Sequence, residues 1–270
     1  MKKFNQKRGF TIIEVSLFLA LSGFLMVGLI LGANISISRQ RYNDSVNNFT
    51  DFIRGAYTDT LNVSNYNDQS GRTKTAIYGK FITFGEPDAG KTVYAYDVVG
   101  KAISSSAATS STVLVMLKNE INANIIQSES SGGTTYVNSF YRITPYTIPW
   151  DGELQNPNNT DGSVNSTLFS GAVLVVRSPT TGGIRTYVYS GTNLPNFHKA
   201  SDLTNSNASN LFKNFLNQNL LHEGQLDLCL DSPDNNLGNR RNFRILERAN
   251  NSTGVTVVGL NDESSKCLGR

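Results

Sequence analysis

The feature that most constrains this chain is a long apolar run near its N-terminus. Residues 10–37 are 28 residues of which only Glu14 is charged. An α-helix of this length extends about 42 Å, whereas the hydrocarbon core of a bilayer is roughly 30 Å thick. The sequence therefore predicts a transmembrane helix at about 10–37.

Basic residues flank this run unequally and predict its orientation. Lys2, Lys3, Lys7 and Arg8 precede it, and no acidic residue accompanies them. Cytoplasmic flanks of membrane helices are enriched in Lys and Arg. We therefore expect a single-pass protein of the cytoplasmic membrane, with a short cytoplasmic N-terminus and the bulk of the chain outside.

The charge balance of the chain after Arg8 argues against nucleic acid as the main partner. Without the four leading basic residues, 20 basic side chains stand against 21 acidic ones. A chain this close to neutral lacks the basic surface of a protein whose main partner is nucleic acid. Its 39% apolar residues suffice for a folded core.

Three simpler interpretations of the apolar run remain open. A cleaved secretory signal has an apolar region of about 7 to 15 residues and a small-residue cleavage site, but this run is longer and Leu31 occupies a position that requires a small residue. A plain signal anchor fits the length but not Glu14, because an ionised acid in hydrocarbon costs about 2.5 to 3.5 kcal/mol. Alternatively, Glu14 lies among the lipid headgroups as a solvated acid.

The stretch KRGFTIIEV, residues 7–15, closely resembles the processing site of type IV prepilins and type II secretion pseudopilins. In that family a short basic leader ends in Gly, Phe usually follows, and a Glu is fifth after the cut. Gly9, Phe10 and Glu14 occupy these places. The resemblance implies that prepilin peptidase removes a leader, residues 1–9, and methylates the new amine of Phe10. Gly9 suits cleavage because a residue without Cβ lets the backbone enter a narrow cleft.

The same resemblance implies assembly through the helix. Glu14 is expected to pair with the N-terminal amine of a neighbouring subunit, because a buried charge is costly without its partner. The further partners implied are other pilin subunits, an inner-membrane assembly platform and membrane lipids, with no cofactor. Gly28 and Gly32 form a G-x-x-x-G pair, which permits close approach of another helix.

Beyond Ile37 the helical pattern continues, but apolar residues now occupy only one face. Apolar residues recur at intervals of three or four, at Tyr42, Val46, Phe49, Ile53 and Ala56. The periodicity extends to about Leu61, which predicts one helix over 10–61, about 78 Å long. The resemblance implies a rod with one half in lipid and the other half packed against a head.

Residues 62–270 are predicted to form an extracytoplasmic head of strands and polar turns. Strands are predicted at 75–84, 92–99, 112–117, 135–143, 172–176 and 184–190, and within QLDLCLD, NFRILER and GVTVVGL. A short helix is predicted at 210–222 and a loop-rich portion between about 145 and 170. The expected fold is α+β and type IV pilin-like, with a mainly antiparallel sheet.

The only two cysteines, Cys229 and Cys267, lie near the C-terminus. Many type IV pilins close this region with a disulfide, and an even number of cysteines in an exported chain favours pairing. The resemblance therefore implies a Cys229–Cys267 bond, with two free buried thiols as the alternative. Such a bond stabilises by about 4 kcal/mol on the loop-entropy argument.

Motifs for catalysis and metal binding are missing from the sequence. His198 and His222 have no zinc-site spacing, and there is neither a nucleophile elbow nor a nucleotide-binding loop. We therefore expect no enzyme and no metal site. The acidic segments 151–163 and 231–238 lack the spacing of a calcium loop and are predicted to be polar turns.

One cluster of basic residues lies near the C-terminus. It consists of Arg240, Arg241, Arg244 and Arg248. We expect a solvated strand face rather than a nucleic-acid site, because Arg244 and Arg248 alternate with apolar neighbours and the whole chain is not basic.

These observations predict a structural subunit of a type IV pilus, displayed at the cell surface after assembly. A chain longer than compact major pilins favours a minor subunit with an initiating, tip or adhesive position. A type II secretion pseudopilin, a DNA-uptake minor pilin and a membrane-anchored adhesin or enzyme that never polymerises remain alternatives.

Overall fold

The structure is a computed structural model. The residues that it describes are 10–62, 65–67, 74–85, 90–101, 127–130, 133–136, 140–159, 161–163, 165–177, 183–191, 194, 197, 212, 215–216, 218, 221–222, 224–231, 240–247, 249–259, 262 and 264–267. The predicted leader at 1–9 and the predicted strand at 112–117 lie outside these residues.

One long helix, α1 (Ile12–Leu61), takes part in both of the compact units into which the chain divides. The N-terminal unit comprises residues 1–43, and the head unit comprises residues 44–270. The helix starts two residues later than the predicted range 10–61 and ends at Leu61. Its apolar part is long and hydrophobic enough to cross a membrane.

The head unit is built from antiparallel sheets. Its described strands are β1 (Asn65–Asn67), β2 (Lys74–Phe84), β3 (Thr92–Lys101), β4 (Gln127–Ser130), β5 (Gly133–Tyr136), β6 (Phe140–Thr147), β7 (Glu153–Gln155), β8 (Gly171–Arg177), β9 (Ile184–Ser190), β10 (Leu226–Asp231), β11 (Arg241–Ile245) and β12 (Val255–Val258). The largest sheet has the order β6-β3-β2-β8-β9, with β1 also beside β2. A second sheet has the order β12-β11-β10-β7, and β4 pairs with β5. The predicted α+β layout with antiparallel strands is confirmed.

Both faces of the largest sheet are buried, which explains the run of apolar residues in β8. Every residue from Gly171 to Val176 is buried, as expected for a strand covered on both sides. On one face, Phe81 packs against Phe197 and Phe212, with ring centroids 5.3 and 4.9 Å away. The opposite face packs against α1.

Within the head unit, α1 contacts both larger sheets through Phe49. Its ring centroid lies 6.4 Å from that of Phe84 in β2 and 4.8 Å from that of Phe243 in β11. Both ring pairs adopt the edge-to-face geometry that aromatic side chains favour. The predicted stripe continues along the helix, because Val46, Ile53 and Ala56 are also buried.

One strand prediction is corrected by the structure. The single strand predicted at 135–143 is divided between β5 and β6, which belong to different sheets. The cause is local, because only two residues separate β4 from β5 and they pair as a hairpin. The predicted loop-rich portion at 145–170 contributes the edge strand β7 to the second sheet, with Glu153 opposite Asp231.

The predicted helix at 210–222 falls largely outside the described residues. Phe212, Phe215 and Leu216 are helical and buried. They lie in the apolar cluster that covers one face of the largest sheet.

Candidate functional site

The start of α1 is a reciprocal capping box between Thr11 and Glu14. The Thr11 backbone N–H donates to Glu14 Oε2 at 2.8 Å, and the Thr11 hydroxyl donates to the same oxygen at 3.0 Å. In return, the Glu14 N–H donates to Thr11 Oγ1 at 3.2 Å. Two backbone N–H groups that the first turn leaves without helical acceptors are satisfied in this way.

The capping box uses only one oxygen of the Glu14 carboxylate. Within the described part of the chain, Glu14 Oε1 accepts no hydrogen bond. Phe10 precedes the cap and its side chain is 86% exposed. Gly9 lies outside the described residues, so the predicted cleavage site is described only on its Phe10 side.

The apolar part of α1 exposes its large side chains over the N-terminal unit, from Ile12 to Ile37. Its hydroxyl groups bond to their own helix, with Ser16 Oγ donating to the Ile13 carbonyl and Ser22 Oγ to the Phe18 carbonyl. In hydrocarbon, polar groups must be satisfied in this way. The surface therefore suits lipid or other helices rather than water.

Gly28 and Gly32 are four residues apart and so share one face of the helix. A Cβ atom added to either glycine would meet no atom within 4 Å. The predicted packing pair therefore has open space beside it, into which a helix of another molecule could approach closely.

In the head unit, buried hydroxyl groups link α1 to the largest sheet and to the segment between β11 and β12. Thr186 Oγ1 in β9 donates to the Ala249 carbonyl at 2.7 Å. Because that bond uses the threonine proton, Tyr57 is the donor in its 3.1 Å bond to Thr186 Oγ1. Burial raises the pKa of Tyr57 to about 12, so the phenol stays neutral.

Two arginines attach the same part of the helix through backbone carbonyls. Arg54 Nη2 donates to the Val255 carbonyl at 3.0 Å. Arg177 Nη1 donates to the Leu61 carbonyl at 3.2 Å, at the C-terminal end of α1, where the helix leaves carbonyls unpaired. These bonds fix the helix end that the sequence predicted from its turn-forming residues.

Cys229 in β10 forms a disulfide with Cys267, and both side chains are fully buried. Their Cα atoms are 5.7 Å apart, a usual separation for a disulfide. The bond attaches the C-terminal segment to the second sheet.

A buried carboxylate reinforces this attachment. Asp227 accepts from Arg244 Nε at 2.7 Å and pairs with Lys266 Nζ at 2.7 Å. Arg244 also donates to the Ser264 carbonyl at 2.6 Å. Burial raises the pKa of Asp227, but hydrogen bonds from Lys266, Arg244 and Gln225 outweigh it and hold that pKa below its ordinary value.

The arginine cluster is not the solvated face that the sequence predicted. Arg240 is 1% exposed and donates to Asn158 Oδ1 and to the carbonyls of Asn156 and Asn165. Sequence alternation failed because Arg240 precedes β11 and is covered by a loop that follows β7. Arg248 lies outside the described residues. Arg244 forms an ion pair with Asp227.

No group of three or more His, Cys, Asp or Glu side chains that could hold a metal ion occurs among the described residues. Asp161, a predicted turn residue, accepts from the Ser163 N–H at 2.8 Å. Hydrogen bonds from Ser163 hold the pKa of Asp161 below its ordinary value. His222 pairs through its backbone with Val188, whereas His198 lies outside the described residues.

Sequence reasoning missed two of these arrangements. The capping box has a readable signal in the sequence, Thr-x-x-Glu at Thr11 to Glu14, which was not part of the prediction. The Asp227 network has no such signal, because Arg244 and Lys266 approach it only through the pairing of β10 with β11 and the C-terminal disulfide.

No protein-family model, no curated protein and no solved structure matches this chain.

Proposed function

We propose that this chain is a minor pilin, a structural subunit of a type IV pilus with a pilin-like fold. The observation that carries the proposal is the apolar part of α1, whose only charged residue, Glu14, stands in its first turn. The processing-site resemblance at Gly9 and Phe10 agrees with this position.

The exposed apolar surface requires another molecule to cover it. Burying one large apolar side chain is worth about 1.5 to 3 kcal/mol, and the N-terminal unit exposes more than ten of them. A bilayer covers this surface in the free subunit, and helices of other subunits cover it in a filament. The open glycine face at Gly28 and Gly32 favours such packing.

Glu14 then selects the docked position. Its Oε2 is held by Thr11, while Oε1 remains open to a cation. An N-terminal amine, freed at Phe10 of a second subunit, supplies that cation. An ionised acid in hydrocarbon costs about 2.5 to 3.5 kcal/mol. A subunit that docks with Glu14 beside the amine avoids this cost, whereas a subunit docked at any other height keeps an unpaired carboxylate.

Processing and export follow in the same proposal. Prepilin peptidase cuts after Gly9 and methylates the Phe10 amine, and an inner-membrane platform adds the subunit to the filament. The head unit, packed on residues 44–61, is carried outside the membrane. Its size favours a tip or adhesive position over repetition along the shaft.

Two variants of Glu14 test the pairing step. Glu14→Gln keeps an oxygen for the Thr11 N–H but removes the charge, whereas Glu14→Ala removes both. We expect both variants to be processed and inserted, and to be depleted more than tenfold in sheared filaments, since about 1.4 kcal/mol corresponds to tenfold. Depletion of Glu14→Ala alone would assign the role to helix capping and overturn the pairing.

The N-terminus of the native protein tests the processing step. N-terminal sequencing should begin at a methylated Phe10, and Gly9→Leu should leave the precursor in the membrane. A native chain that begins at Met1, found in membranes and never in filaments, would favour the anchored adhesin instead.

A further inference from the structure

A lysine and two carboxylates meet where α1 packs on the largest sheet. Lys80 in β2 stands directly opposite Asp97 in β3, and its Nζ contacts Asp97 Oδ1. The two side chains are only 8% and 3% exposed. Asp59 of α1 brings a second carboxylate to the same amine, with Oδ2 3.2 Å from Nζ.

Apolar residues lie beside this ion pair on the sheet. Ile82 and Ala95 form the next cross-strand pair on the same face, and both are buried. Burying a charge is costly unless it is paired, and here the Lys80 amine is in contact with the Asp97 carboxylate. This contact brings the amine next to the carboxyl group.

We propose that Lys80 and Asp97 condense to an intramolecular isopeptide bond. In this reaction Lys80 Nζ passes one proton to the Asp97 carboxylate and then attacks Asp97 Cγ, a new N–C bond forms, and the C–OH bond of the protonated carboxyl group breaks. One water leaves, no oxidant or reductant takes part, and a neutral amide replaces the ion pair. A desolvated lysine is the activated form of this nucleophile.

Asp59 is close enough to Lys80 Nζ to relay a proton in this reaction. Its carboxylate lies within hydrogen-bonding distance of Nζ, so it accepts the proton that the attacking amine loses and returns it to the departing hydroxyl. The Asp59 side chain is 58% exposed. The reaction centre therefore opens to solvent on the α1 side, where the product water leaves.

The bond would lock β2 to β3 beneath α1. The disulfide ties the other large sheet to the C-terminal segment, so each large sheet would carry one covalent link. The inference does not depend on filament assembly, since it concerns only residues of the head unit.

Peptide mass spectrometry of the full-length native protein tests the bond directly. In the absence of the bond, trypsin cuts after Lys74, Lys80, Lys91 and Lys101 and releases 75–80, 81–91 and 92–101 separately. An isopeptide at Lys80 blocks cleavage there. We expect a branched product of 75–91 and 92–101, lighter than the sum of the two by one water. Separate unmodified peptides 75–80 and 92–101 as the main products would overturn the proposal.

Two variants assign the roles. Lys80→Arg keeps the positive charge and the ion pair but cannot form the amide, so the branched product should disappear. A linked product that still contains 92–101 in this variant would mean that Lys80 is not the linked residue. Asp59→Asn removes the relay and should lower the linked fraction at least tenfold at a fixed time after synthesis. An unchanged fraction would remove Asp59 from the mechanism.

Discussion

The two halves of α1 have the same backbone and opposite surroundings. Residues 12–37 expose a continuous apolar surface, whereas residues 44–61 bury a narrow stripe against strands of two sheets. Phe18 is 70% exposed and Phe49 is 1% exposed, although both are phenylalanines in one uninterrupted helix. One helix therefore presents two different surfaces.

This difference shows what sets the surroundings of a helix. The first half is apolar on all sides, which is typical of a segment that lipid or other helices cover. The second half confines its apolar residues to intervals of three and four, which is typical of packing on a globular domain. A change in the hydrophobic pattern near residue 38, rather than any break in the helix, marks the transition.

The strongest test of this contrast replaces one phenylalanine in each half. Phe49→Ala should destabilise the head by about 4 kcal/mol, because it opens a cavity between Phe84 and Phe243. Urea unfolding of the full chain in detergent, followed by the fluorescence of Trp150, measures the change. Phe18→Ala is the matched control and should shift the free energy of unfolding by less than about 0.5 kcal/mol. Equal effects would contradict the division of the helix.

Removing the disulfide should affect the head alone. The double variant Cys229→Ser, Cys267→Ser should lose about 4 kcal/mol, because the unfolded chain regains the freedom of a long loop. Thermal unfolding measures the loss, and wild-type protein in reductant should match the variant. Reduced membrane insertion of the variant would show that the two regions are coupled.

The stability of the head unit should depend on pH through the carboxylate of Asp227. Because its pKa is lowered in the folded state, it contributes stability above the unfolded value of about 3.9, and this stability is lost as the pH falls through the folded pKa. Asp227→Asn should cost about 2 kcal/mol at neutral pH, since Arg244 and Lys266 lose a charged acceptor. The difference from wild type should shrink as the pH falls below about 4 in urea unfolding. A constant difference would contradict this origin.

The smallest expected effect lies at the start of α1. Thr11→Val removes the capping hydroxyl and should weaken the first helical turn by about 1 kcal/mol. Amide hydrogen exchange at Ile13 and Glu14 in micelles should accelerate, while head unfolding stays unchanged. Thr58→Val is the control, because its hydroxyl bonds only within the helix, to the Arg54 carbonyl.

The sequence alone determined the elements that depend on local pattern. The long helix, its change of character, the positions of β2, β3, β8 and β9 and the antiparallel layout follow from spacing and turn residues, because neighbours along the chain set both. The Cys229–Cys267 bond, implied by the family resemblance, is present.

Only the tertiary structure decided which distant groups meet. Arg240 became a buried donor, the strand at 135–143 divided between two sheets, and Lys80 came to face Asp97 and Asp59. A local pattern records whether a residue faces water or the interior. The identity of its partner depends on strand register and helix packing, which are properties of the whole chain.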